Sequence, residues 1–125
     1  MDCSTYRRLY PKYSTLPLPR EIWDTPEREE HNNHFHECSA CGDWTLAKRV
    51  EKRGATVEDF PCVHIAYRVT EKFDSPHDDP FYDPDVLIWQ FESSGEYGIP
   101  IRDGGSSISV IQYCPWCGVS LYDDN

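Results

Sequence analysis

Two short cysteine motifs carry the clearest chemical signal in this 125-residue chain. Residues 38–42 read C-S-A-C-G and residues 114–118 read C-P-W-C-G, so both follow the pattern C-x-x-C-G. Two residues between the cysteines let one turn point both sulfurs at one tetrahedral ion. A glycine after the second cysteine lets the backbone reverse. The paired motifs therefore predict one closed zinc site with four thiolate ligands, Cys38, Cys41, Cys114 and Cys117.

The remaining cysteines and the histidines leave alternatives open. His34 and His36 lie close to the first motif, and either can replace a thiolate. Cys62 and His64 are separated by one residue and can form a second, partial site with Cys3. Because the two motifs already supply four thiolates, we expect the two histidines in solvent. Cys62 and His64 are expected in core packing, where an isolated cysteine is common.

A catalytic role fits these residues less well than a structural one. The segment C-P-W-C looks like a glutaredoxin active site, but that motif opens a long helix near the start of a βαβ unit, and here seven residues follow Gly118. A catalytic zinc needs an open coordination position, and the chain contains neither H-E-x-x-H nor a deaminase pattern. A metalloenzyme using Asp103, His64 or His77 is the least favoured alternative. We therefore predict that the protein is not an enzyme.

The charge of the chain is strongly acidic and unevenly distributed. It carries 22 acidic and 12 basic side chains, a net charge of −10, and residues 61–125 alone carry −8. Nucleic-acid phosphates are bound mainly through lysine and arginine, so we expect no nucleic-acid partner. Such a surface is steered toward basic proteins, although acidity that only maintains solubility stays an alternative. The basic cluster available to a nucleic-acid-binding zinc ribbon is Lys48, Arg49, Lys52 and Arg53.

The sequence predicts a cytoplasmic protein without a membrane segment. Its longest strongly apolar run is residues 86–89, far below the ~20 residues of a membrane-spanning helix. Residues 1–8 are charged and are not followed by an apolar signal segment. In a reducing compartment, paired cysteines bind metal more often than they form disulfides.

The predicted secondary structure places strands between the two cysteine motifs. Residues 1–37 contain four prolines and no clean period, so we expect an irregular segment with a short helix after Pro19 or Pro26, and a loop at residues 31–37. A helix is predicted at residues 44–53, capped by Asp43 or Thr45 and ended by Gly54. A D-G-G-S turn is predicted at residues 103–106, and strands are predicted at residues 62–70, 86–91, 97–101 and 108–113.

These elements predict an α+β fold. We expect a small zinc-ribbon-like domain with a mostly antiparallel sheet and one or two short helices. Residues 1–37 would form an irregular N-terminal segment packed on a zinc-clamped domain at residues 38–125.

The order of motifs in the C-terminal half resembles an uncharacterised family of small bacterial proteins that end in a D-G-G-S-S turn, a strand and C-P-W-C-G. The resemblance covers roughly residues 64–121. It implies a bacterial or phage origin and a zinc-ribbon-like fold, and it implies no activity. The motifs that carry it are H-D-D-P-F at residues 77–81, P-D-V-L-I at 84–88, E-Y-G-I at 96–99, D-G-G-S-S at 103–107 and C-P-W-C-G at 114–118.

Together these observations predict a non-enzymatic, acidic, zinc-binding module for protein interaction. Its most favoured role is an inhibitor, immunity or anti-defence protein that neutralises a basic protein partner. The alternative from a different class is a zinc ribbon associated with nucleic acid or transcription.

Overall fold

The computed structural model describes residues 1–15, 17–74, 83–105 and 107–122. The chain divides into two compact units, Met1–Thr45 and Leu46–Asn125, which we call the N-terminal unit and the C-terminal unit. The sequence analysis placed the boundary after residue 37. In the part of the chain that the structure describes, no helix combines the length and apolar character needed to cross a membrane.

The N-terminal unit is helical. Two of its helices begin with side-chain caps: the Asp2 carboxylate accepts a hydrogen bond from the backbone N–H of Thr5 at 2.7 Å, and the Thr25 hydroxyl accepts one from the backbone N–H of Arg28 at 3.2 Å. Such caps satisfy amide groups that the first turn leaves unpaired. The helices of this part of the chain are α1 (Cys3–Ser14), α2 (Arg20–Trp23), α3 (Pro26–Glu37) and α4 (Ser39–Lys52), the last of which ends in the C-terminal unit.

These helices correct part of the sequence analysis. One short helix was predicted after Pro19 or Pro26, and the structure has a helix at both places: the short α2 begins at Arg20, and the longer α3 begins at Pro26. The irregular assignment of residues 1–37 and the loop at residues 31–37 are wrong, because α1 and the second half of α3 occupy them. Periodicity missed α1 and the second half of α3, since α3 has almost no apolar face and α1 mixes aromatic and charged residues.

The helix predicted at residues 44–53 is confirmed as α4, although it begins at Ser39 rather than at a cap on Asp43 or Thr45. The Thr45 hydroxyl lies inside the helix and donates to the Cys41 carbonyl at 2.8 Å. Gly54 follows the helix with a φ of 86°, as the predicted stop requires. The amide of Ala55 then donates back to the Val50 carbonyl at 3.2 Å.

The C-terminal unit contains a helix where a strand was predicted. Residues 62–70 form helix α5 (Val63–Val69), which follows a short 3₁₀ helix (Val57–Asp59) and continues into another (Thr70–Asp74). The buried side chains Ile65, Ala66 and Val69 lie on one helical face. The strand prediction is therefore wrong. It relied on the alternation of Val63, Ile65, Tyr67 and Val69, and seven residues are too few to distinguish that alternation from a helical period.

A small antiparallel sheet forms the other layer of this unit. Gly98 in the middle strand pairs with Trp89 on one side and Val110 on the other. The predicted α+β class and antiparallel sheet are confirmed, while the described residues contain five α-helices rather than one or two. The strands, shorter than predicted and in spatial order β1-β2-β3, are β1 (Trp89–Gln90), β2 (Tyr97–Pro100) and β3 (Ile108–Ile111).

The hydrophobic core lies in the C-terminal unit, among residues of α5, the sheet and the C-terminal cysteine motif. One of its buried members is Cys114, and Cys62 packs against it. The metal-ligand candidates of this unit therefore border its core. The buried core residues are Ile65, Val69, Ile88, Tyr97, Cys114 and Leu121.

The turn before β3 has the predicted glycine geometry in its described residues; Ser106 lies outside them. Gly104 has a φ of 95°, and the Asp103 carboxylate accepts a hydrogen bond from the Gly105 amide at 3.1 Å. The amide of Ile101 donates to the Ser107 carbonyl at 2.9 Å and closes the turn.

This geometry predicts unequal effects of alanine at the two glycines. Gly104→Ala is expected to lower the free energy of unfolding by about 1–2 kcal/mol, because a Cβ is strained at positive φ. Gly105→Ala is the matched control, since Gly105 has no positive φ. Its Cβ would lie 3.3 Å from an oxygen at the end of the Asp103 side chain, which can move away. Urea denaturation of both variants measures the difference. Equal losses would contradict the assignment of the strained position to Gly104.

Candidate metal centres

Cysteine and histidine side chains of the described residues come together in two groups, one in each unit. Each group contains three thiols and one imidazole, and its ligand atoms all lie within 4.8 Å of one another. Each group could hold a metal ion. The N-terminal group is Cys3, His34, Cys38 and Cys41, and the C-terminal group is Cys62, His64, Cys114 and Cys117.

The grouping differs from the site predicted from the sequence. The pair Cys38 and Cys41 lies in the N-terminal group, and the pair Cys114 and Cys117 lies in the C-terminal group. The spacing within a C-x-x-C motif specifies that two sulfurs can share an ion, but it does not specify which other residues complete the coordination. Each pair is completed by one cysteine and one histidine that the sequence analysis placed in solvent, in core packing or in an alternative partial site.

The first motif lies at a helix start. Cys38 has extended backbone and immediately precedes α4, and Cys41 is the third residue of that helix, so the Cys38 side chain faces the Cys41 amide as a capping residue does. The Gly42 amide donates to the Cys38 carbonyl at 2.8 Å. Gly42 is helical and has no positive φ, and a Cβ there would lie 3.2 Å from the Phe35 carbonyl oxygen. Gly42 therefore allows α4 to pack closely against α3, and it does not form the chain reversal that was predicted for this motif.

The second motif forms the predicted turn. The amides of Trp116 and Cys117 point at the Cys114 sulfur, at 3.4 Å and 3.5 Å. Gly118 has a φ of 76°, and its amide donates to the Cys114 carbonyl at 2.8 Å. The Cys114 amide then donates to the Val119 carbonyl at 2.9 Å, so the chain reverses around the cysteine pair. Amides directed at a sulfur stabilise its thiolate form.

Three helices supply the N-terminal group. Cys3 is the first residue of α1, and its sulfur lies 3.8 Å from that of Cys38. Sulfurs bound tetrahedrally at ~2.3 Å from a zinc ion lie ~3.8 Å apart. His34 lies in the last turn of α3, and its ring packs against Tyr6 with the centroids 5.2 Å apart. The Cys3–Cys38 sulfur distance is therefore compatible with two ligands of one tetrahedral ion.

The thiols of the N-terminal group perturb one another. Hydrogen bonds with Cys41 and Cys38 raise the pKa of Cys3 to about 11. The Cys41 amide donates a hydrogen bond to Cys38 and lowers the pKa of that thiol. The Cys3 and Cys38 sulfurs also lie within hydrogen-bond distance of each other, which adds to the rise in the pKa of Cys3 and to the fall in the pKa of Cys38.

Helix α5 and the C-terminal turn supply the C-terminal group. Cys62 caps α5, with its sulfur 3.5 Å from the amide of Ile65, and His64 lies in the first turn of that helix. Burial raises the pKa of Cys62 to about 12. Burial also favours the neutral Cys114 thiol, but the amides of Cys117 and Trp116 outweigh it and lower the Cys114 pKa.

Of the remaining candidates in the described residues, His36 and Asp103 join neither group. His36 is exposed. The Asp103 carboxylate accepts a hydrogen bond from the Gly105 amide in the turn before β3. His77 lies outside the described residues. The sequence analysis named Cys3 and His34 only as alternatives; the helix caps at Asp2 and Thr25, which predict the helices that carry them, are the signals that could have placed both in this group.

Comparison with known proteins places the C-terminal half of the chain in a family. Residues 59–125 match the family described as Domain of unknown function (DUF6980). No curated protein and no solved structure matches the chain. The matched segment contains all four residues of the C-terminal group, and the N-terminal group lies outside it.

Proposed function

This chain belongs to the family described as Domain of unknown function (DUF6980), and we propose that it is a zinc-stabilised, non-enzymatic module that binds a basic protein partner. The observation that carries the metal part of the proposal is the C-terminal group. Its three sulfurs and one imidazole nitrogen lie within 4.8 Å of one another at the border of the hydrophobic core.

The chemistry of these donors favours zinc. Thiolate and imidazole ligands in a tetrahedral set suit Zn²⁺, whereas Mg²⁺ and Ca²⁺ prefer oxygen. Cys62, His64, Cys114 and Cys117 would fill all four positions, so no position is left for a reactive water. A site of this kind stabilises a fold and does not catalyse hydrolysis.

Charge and exposed aromatic side chains support a protein partner. Residues 61–125 carry a net charge of −8. Next to the C-terminal group, Tyr113 is 61% exposed and Trp116 is 43% exposed, and the Arg68 guanidinium lies 4.9 Å from the Trp116 ring centroid. Tyrosine and tryptophan are frequent anchors of protein interfaces, and surrounding acids accelerate encounter with a basic surface. An inhibitor, immunity or anti-defence role would use these properties.

The nucleic-acid alternative depends on the basic residues at the end of α4 and on Arg53, which follows it, and their contacts with acidic side chains weaken this alternative. Arg53 is largely buried, its guanidinium contacts the Asp74 carboxylate at 2.8 Å, and Lys48 lies 3.7 Å from the Glu51 carboxylate. Acidic neighbours thus offset two of the four charges. Phosphate binding needs uncompensated positive charge.

Affinity capture with the purified protein as bait tests the partner. We expect a protein of basic isoelectric point to be retained at ~0.1 M salt and released at ~1 M, where screening is nearly complete. The double variant Tyr113→Ala/Trp116→Ala should lose this protein at least tenfold. Trp23→Ala is the matched control, since Trp23 is 52% exposed in the N-terminal unit. Retention of DNA or RNA, or equal capture by both variants, would contradict the proposal.

A further inference from the structure

We propose that the N-terminal group is a second zinc site and that its ion is required for the N-terminal unit to fold. This goes beyond the proposed function, whose metal lies in the C-terminal group. It also goes beyond the family assignment, because residues 1–58 lie outside the matched segment.

The group joins three helices at one point. Cys3 is the first residue of α1, His34 lies in the last turn of α3, and Cys41 lies in the first turn of α4. Cys38 lies between α3 and α4, and its sulfur is 3.8 Å from the Cys3 sulfur. Two thiolates bound to one tetrahedral zinc ion are separated by about this distance. One ion at this point would connect α1 to residues more than thirty positions away in the sequence. Among the described residues, no disulfide makes that connection.

His34 gives independent evidence for a bound cation. Its Nε2 atom is buried and has no hydrogen-bond partner among the described residues. A buried ring nitrogen without a partner is unfavourable, and a metal ion bound by the three neighbouring thiolates would be that partner. The ring is held in place by Tyr6, whose hydroxyl is 2.7 Å from the Thr45 hydroxyl and whose own ring stacks on His31 at 4.1 Å.

The N-terminal unit has little hydrophobic core to replace such an ion. Its buried side chains in the described residues are Tyr6, His31, Cys41 and Thr45, of which one is itself a ligand. None of the residues of the hydrophobic core cluster belongs to this unit. Helical units of this size that lack a core depend on metal, disulfides or a partner for stability. Because the unfolded chain holds no preformed site, zinc binding would contribute directly to folding.

Zinc stoichiometry of the full chain tests the site. Native mass spectrometry after purification in Zn²⁺ is expected to show two ions per chain. Cys3→Ser and His34→Ala should each reduce this to one, while the matched control His36→Ala, an exposed neighbour on the same helix, should keep two. His34→Cys should restore two ions, because a thiolate can replace a ligand but cannot replace the ring in a packing role.

The same measurement separates this proposal from the proposed function. If the wild-type chain binds one ion, and Cys117→Ser removes it while Cys3→Ser does not, the C-terminal site stands and the N-terminal site is refuted. If Cys3→Ser has the effect and Cys117→Ser does not, the reverse holds.

Hydrogen exchange tests the folding part of the proposal without relying on a variant that fails to fold. The wild-type chain is stripped of metal with a chelator in mild denaturant, and Zn²⁺ is then added back. We expect amides of α1 and α3 to exchange at least tenfold more slowly after Zn²⁺ is restored, and we expect this protection to be absent in Cys3→Ser. Equal protection of α1 and α3 with and without Zn²⁺ would overturn the proposal.

Discussion

Cys117→Ser is expected to lower the free energy of unfolding of the C-terminal unit by about 4 kcal/mol. An ion that binds the folded unit and not the unfolded chain stabilises it by RT ln(1 + [Zn²⁺]/Kd), which is ~4 kcal/mol at a zinc concentration of ~1,000 times Kd. Loss of one thiolate removes the closed coordination, and zinc binding adds directly to folding free energy. Urea denaturation with Zn²⁺ present measures the change.

Cys117 distinguishes loss of metal from loss of packing. Its side chain is exposed, whereas Cys114 is buried in the core. Serine at Cys117 therefore removes a ligand without leaving a cavity. Val119→Ser is the matched control, because Val119 is 40% exposed in the same turn and has no ligand atom; we expect a loss of at most ~0.5 kcal/mol there. A Cys117→Ser variant as stable as the wild type would show that no metal supports this unit.

Acidification is expected to lower the stability of the C-terminal unit, as Cys117→Ser does. Protons compete with the ion for the thiolates and the imidazole, so zinc affinity falls as the pH falls. The stability that the ion supplies is therefore present at neutral pH and lost on acidification. In the Cys117→Ser variant, this part of the acid sensitivity should be absent.

Gly98→Ala is expected to destabilise the sheet by about 1–3 kcal/mol, the usual cost of overpacking. Gly98 lies in β2 between both neighbouring strands. A Cβ there would collide with the Cγ2 methyl of Ile108 and would lie 3.1 Å from the Ser109 carbonyl oxygen. Because the second contact is with backbone, the strands would have to separate. Thermal and urea denaturation of Gly98→Ala measure this loss.

A double-mutant cycle identifies the cause of that loss. Ile108→Ala removes the methyl group that the new Cβ would meet, so the double variant Gly98→Ala/Ile108→Ala should lose less stability than the sum of the two single variants. Additive losses would mean that the contact with Ile108 is not the cause of the stability lost in Gly98→Ala. They would leave the close approach to Ser109 as the source.

Local chemistry in the sequence determined the half-sites and several turns. Two residues between cysteines are enough to place a pair of sulfurs together, and both C-x-x-C pairs lie in ligand groups. Gly54, Gly104 and Gly118 have positive φ because the backbone at a helix end or a tight turn requires it. These features depend on residues within four or five positions of one another, so a sequence pattern can specify them.

Segments without a decisive local pattern were predicted less well. In α5, seven residues satisfy both a helical and a strand period, and burial of Ile65 and Val69 in the core selects the helix. In α3, no apolar face indicates a helix, and the cap at Thr25 with Pro26 starts it.

Only the tertiary structure decided which ligands complete each cysteine pair. Two identical C-x-x-C-G motifs look like halves of one site, yet one lies at the start of α4 and the other in a turn next to the core. Cys3 reaches the first pair because α1 starts there, and Cys62 with His64 reaches the second because α5 does. A tetrahedral ion needs four donors within a few ångströms, and contacts between residues distant in sequence are set by packing that no local spacing encodes.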